Sequence, residues 1–145
     1  MKLFPTLALG VIAVASIAIA APAHAQAPAQ YELTMDNMKK LATAMQALKN
    51  KDSEVEMNDD DSLDQTVAKI KGNAAAMAAL QKAGMSPRDY VLTLTSYLQA
   101  GMVVAAQKVD ATYKTPPDVS AKNVAFIKAH RAELEQMSKQ MGLSQ

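Results

Sequence analysis

The chain has 145 residues, 50% of them hydrophobic, with no cysteine and a formal net charge of +1. Without cysteine there are no disulfides, thiolate metal sites, covalent c-type haem or cysteine nucleophiles. Near-zero charge and 4% aromatic residues leave neither a basic patch nor stacking platforms for nucleic acid, so no nucleic-acid partner is expected.

Residues 1–25 read as a cleaved signal peptide. Lys2 supplies the positive start, Leu7 to Ala21 an apolar run too short and Ala-rich for a stable membrane span, and Ala23-His24-Ala25 the small-x-small pattern of a peptidase site. Cleavage before Gln26 implies export to the periplasm with no stable membrane span remaining. It leaves 14 basic and 14 acidic residues and His130 as the single histidine. A lipoprotein is excluded because no cysteine stands at the new terminus. Residues 26–31 read as a flexible Pro/Ala leader, and 32–145 as one all-α domain, an antiparallel bundle of four to five helices.

The first helix is predicted from about Glu32 to Asn50, with Met38, Leu41, Met45 and Leu48 on one apolar stripe. Residues 51–61 form an acidic loop. It has carboxylates for Ca²⁺ but lacks the bending glycine and terminal bidentate glutamate of an EF-hand, and reads as a solvated loop. Ser62-Leu63-Asp64-Gln65 is a capping box. Gly72-Asn73 divides the second helix, glycine ending one piece in a left-handed conformation and asparagine capping the next, which stops at Gly84.

Ser86-Pro87-Arg88-Asp89 opens a third helix that reaches about Val109. It carries no charge from Tyr90 to Gln107, which marks it as the central helix, covered by the others, with Gly101 allowing close backbone approach. Tyr90, Tyr97 and Gly101 are the candidate interaction surface. After the rigid Thr115-Pro116-Pro117-Asp118 connector, Ser120 caps a last helix over about Ala121 to Met141. Its stripe is Ile127, His130, Leu134, Met137 and Met141, so His130 is expected to face the interior.

An exported helical protein with Asp36-Asn37-Met38 early in its first helix and a histidine in its last resembles the cytochrome b562 family. That resemblance implies a non-covalent haem b held by Met38 and His130, and an electron-transfer role. On the residues alone, a lone histidine on an apolar stripe is more often a hydrogen-bonded core residue, and no cofactor is expected. The segments Ser86 to Thr93 and Asn123 to Ala129 resemble uncharacterised exported helical proteins of Gram-negative bacteria, which implies a periplasmic address and no activity.

Met35, Met38, Met137 and Met141 could offer soft sulfur to Cu(I), although methionines on buried stripes are ordinary core fillers. No G-x-S-x-G, no glycine-rich phosphate loop and no cleft-spanning carboxylate pair is present, so an enzyme is not expected. The functional expectation is a non-catalytic binding protein for a small apolar ligand or a protein partner.

Overall fold

The computed structural model describes residues 28–49, 51–58 and 60–142; the signal-peptide reading lies outside them. Among the described residues all regular structure is helical: α1 (Met35–Ala47), α2 (Leu63–Gly72), α3 (Ala74–Lys82), α4 (Pro87–Val109), α5 (Ala121–Ala129) and α6 (Arg131–Met141), with 3₁₀ turns at Pro28–Gln30 and Lys51–Ser53. No helix among them is long and apolar enough to cross a membrane.

The helix starts follow from capping chemistry. Ser62 and Gln65 complete the reciprocal box at α2, Asn73 caps α3, Ser86 caps α4 with Pro87 in its first turn, and Ser120 caps α5. Gly84 (φ 67°) and Gly142 (φ 76°) supply the left-handed stops after α3 and α6. Gly72 does not act that way. It is the last residue of α2, and the break is made by Asn73 in an extended conformation (φ −104°, ψ 106°).

α1 begins later than the apolar pattern predicts because Thr34 is its cap, accepting from the Asn37 N–H at 3.1 Å. The residues before it are held by a buried asparagine. Asn123, 2% exposed, accepts from the Leu33 N–H at 2.9 Å and donates to the Tyr31 carbonyl at 2.7 Å. The Tyr31 hydroxyl shares a hydrogen with Thr93 at 2.9 Å and accepts from Asn37 Nδ2. Pro28 accepts from Ser96 Oγ at 3.1 Å. Residues 28–31, expected as a flexible leader, are therefore packed on α4, and Tyr31 and Leu33 belong to the core.

α4 touches α1, α2, α3, α5 and the first 3₁₀ turn, which makes it the hub of the fold. It is not covered all round: Leu98, Met102 and Val109 face solvent. An antiparallel course also fails for one pair. Leu33 and Glu32 meet Asn123 and Lys122 at one end, while Lys49 Nζ donates to the Gln140 carbonyl at 3.2 Å at the other. α1 therefore runs in the same direction as α5–α6.

The last helix is broken in two at His130 (φ −107°, ψ 21°). Ile127, Leu134 and Met141 keep their buried places on either side of the break. The change of course takes His130 off their stripe.

A candidate ligand cleft where the C-terminal ends of α1 and α6 meet

The C-terminal ends of α1 and α6 lie together, and the segment 53–57 folds over them. α1 contributes Met45, Leu48 and Lys49, the segment contributes Ser53, Glu54, Val55 and Met57, and α6 contributes Met141. Ile70 of α2, Ala76 and Leu80 of α3 and Tyr90 of α4 complete a cleft of about 270 Å³. Its inner wall is sealed: Ala76 and Leu80 have no exposed surface, Ile70 is 2% and Met141 3% exposed, whereas Met57 stands at the mouth at 45%.

Local hydrogen bonds explain why these side chains converge. Lys49 reaches the carbonyl of Gln140 in the last turn of α6, where a cation offsets the unpaired carbonyls, and this sets Met141 against α1. Ser53 Oγ donates to the Leu48 carbonyl at 3.1 Å, turning the chain sharply after α1. Asn73 then does double duty. Its Oδ1 caps α3 at the Ala76 N–H, and its Nδ2 donates to the carbonyls of Asp52 and Glu54, both at 3.2 Å. The segment carrying Val55 and Met57 is thus tied to the helix junction beneath it.

Tyr90 is the chemical handle of the cleft. It is 5% exposed, and its hydroxyl has no hydrogen-bond partner among the described residues. Burial pushes its phenol above the ordinary range, so it is a neutral donor at physiological pH. A phenol set in an otherwise apolar wall can donate one hydrogen bond to a guest. Lys49 and Glu54 add one charge of each sign to the lining.

The chain matches no protein-family model, no curated protein and no solved structure.

The expected haem ligands do not frame one slot. Met38 is fully buried in the core. His130 is a helix-junction residue with a 39% exposed side chain, its ring 4.7 Å from Phe126 and its Nδ1 3.4 Å from Glu133. Their heights along α1 and α5–α6 agree, since Met38 stands eleven residues before Lys49 and His130 ten before Gln140. Orientation separates them: the break at His130 turns the imidazole outward, toward an exposed carboxylate. An axial pair must address the two faces of one planar group, and these residues do not fit it.

Of the candidate interaction residues, Tyr90 is buried and lines the cleft, while Tyr97 is partly buried against the core. Gly101 meets no close neighbour; a Cβ built there would find nothing within 4 Å. The close approach expected of it is absent among the described residues. Of the methionines considered for Cu(I), Met141 reaches the cleft, joined by Met45 and Met57 in place of Met35, Met38 and Met137.

The acidic segment spends its charge locally. Asp61 pairs with Lys69 at 2.5 Å and caps the Asn58 N–H at 2.9 Å, and the ammonium beside it holds its carboxyl below the usual range. Among the described residues, no three His, Asp or Glu side chains are grouped to hold a metal ion. A larger hollow of about 550 Å³ lies between α2 and the start of α4. Its rim mixes Asp64, Lys71, Arg88 and Asp89; Arg88 Nη1 pairs with Asp64 at 2.7 Å, and its buried Nε has no partner among the described residues.

Proposed function

We propose that this protein is an exported, non-catalytic carrier or sensor of a small, mainly apolar molecule, bound in the cleft between α1, α6 and segment 53–57. The observation that supports this reading is the Tyr90 hydroxyl, without a partner among the described residues, in a wall built mainly from Leu, Ile, Val, Ala and Met side chains with Lys49, Ser53 and Glu54 among them. Ligand sites combine this kind of apolar lining with a few placed polar groups. A phenol hydroxyl that opens on the cleft with no protein acceptor can give its hydrogen bond to an acceptor on a ligand.

The volume sets the size of the guest. An engineered cavity of about 150 Å³ takes benzene, and drug-sized molecules occupy roughly 300 Å³ upward. A cleft of about 270 Å³ suits a compound between those limits, with one hydrogen-bond acceptor. The methionines lining the cleft adapt their shape easily, which favours a range of related guests over a single rigid one. Export rests on the small-x-small site at Ala23-His24-Ala25 that follows the apolar run. Intact-mass analysis of periplasmic protein is expected to show a chain beginning at Gln26; one still beginning at Met1 would remove the exported half of the proposal.

Acetophenone serves as the probe, having one ring and one carbonyl. With methyl-labelled methionine, the resonances of Met45, Met57 and Met141 are expected to move on titration, while that of Met102 stays still. Tyr90→Phe is expected to weaken binding about five- to tenfold, the worth of one hydrogen bond. Val55→Trp, which fills the cleft from its outer wall, is expected to abolish it. Shifts confined to Met102, or no saturable shift, would refute the cleft as a binding site.

A further inference from the structure

We infer that the outer face of α4 pairs with the same face of a second copy of this chain, as a two-fold antiparallel helix pair centred between Gly101 and Met102. α2 covers the start of this face, burying Pro87 and Val91. Beyond α2 the face continues uncovered. Leu98 is 46%, Met102 65% and Val109 92% exposed, with Ala105 exposed between them and Leu94 only partly buried. At about 100° per residue these positions fall in one narrow sector of the helix. Large apolar side chains gathered on one open stripe mark a contact surface.

The order of residues along the stripe identifies the occupant. An isologous interface requires a surface that complements itself. Reversing α4 about the point between Gly101 and Met102 sets Met102 against Gly101, Leu98 against Ala105, and Leu94 against Val109. Each contact occurs twice. The two longest central side chains meet the two smallest residues, the alternation that lets facing helices interdigitate. The open space around Gly101 is then the notch that receives the partner's Met102.

Charge points the same way. No charged residue lies between Tyr90 and Gln107, so two copies meet without like-charge repulsion. The stripe from Leu94 to Val109 is about 22 Å long. A contact of that length buries on the order of 1,000 Å², at the lower edge of specific interfaces, so the pair is reversible.

Sedimentation of the purified protein from about 5 to 500 µM is expected to show a concentration-dependent monomer–dimer equilibrium. Leu98→Glu is expected to remove the dimer while leaving the far-ultraviolet dichroism and melting temperature unchanged, since the position is open to solvent. The register has its own test, because the chain has no native cysteine. Met102→Cys is expected to oxidise to a disulfide dimer, its two copies lying beside the axis. Val109→Cys is not, because its copies stand about 22 Å apart along the pair, far beyond disulfide reach. A strict monomer throughout the range, a dimer that survives Leu98→Glu, or equal cross-linking at both positions would overturn the inference.

Discussion

Asn123 shows what one buried side chain does in a core without disulfides. Its amide satisfies the N–H of Leu33 and the carbonyl of Tyr31, as a neighbouring strand would, and so fastens the segment before α1 onto α5. Replacement by leucine conserves volume but leaves both backbone groups buried without partners. Asn123→Leu is expected to cost about 2–4 kcal/mol, read from urea unfolding at neutral pH. In sequence, Asn123 is one polar residue in a helical turn, three places after the Ser120 cap. Nothing local announces a partner ninety positions away.

At the scale of elements, the cleft depends on the junction between α2 and α3. The wall bearing Val55 and Met57 has no helix of its own beyond a single 3₁₀ turn, and Asn73 ties it down through two backbone carbonyls. Asn73→Ala would also remove the α3 cap, a loss of about 1 kcal/mol. Amide exchange across residues 52–58 is expected to accelerate, and affinity for the acetophenone probe to fall several-fold, while α4 amides keep their protection. Unchanged exchange in that segment would show that the wall is held by packing alone.

The alkaline limb of stability belongs to the whole molecule. Desolvation raises the phenols of both Tyr31 and Tyr90, for Tyr31 against the opposing pull of its hydrogen bond to Thr93. A phenol raised on folding ionises first in the unfolded chain. Its contribution is complete below the ordinary tyrosine value of about 10, and is lost as pH rises through the folded pKa. Unfolding free energy is therefore expected to fall above about pH 10, with a smaller fall in Tyr90→Phe. Phenolate absorbance of the folded protein is expected to show Tyr31 and Tyr90 titrating late. Removing residues up to Leu33 is expected to destabilise the entire domain, because those residues fill its core.

Much of the architecture is written locally. Caps at Ser62, Asn73, Ser86 and Ser120 and the stops at Gly84 and Gly142 can be read residue by residue, because capping satisfies backbone groups within one turn. The 3.6-residue spacing likewise marks which side of each helix is buried. Direction and company are not local properties. That α1 runs alongside α5–α6 and that the supposed leader packs on α4 follow from contacts between distant segments. The cleft is the clearest case. Tyr90 stands out in the sequence as a tyrosine on an uncharged helix, but the cleft wall it shares with α1, α2, α3, α6 and segment 53–57 exists only once those segments have closed around it. Periodicity specifies a face to be buried; the face that covers it is chosen by packing the whole chain at once.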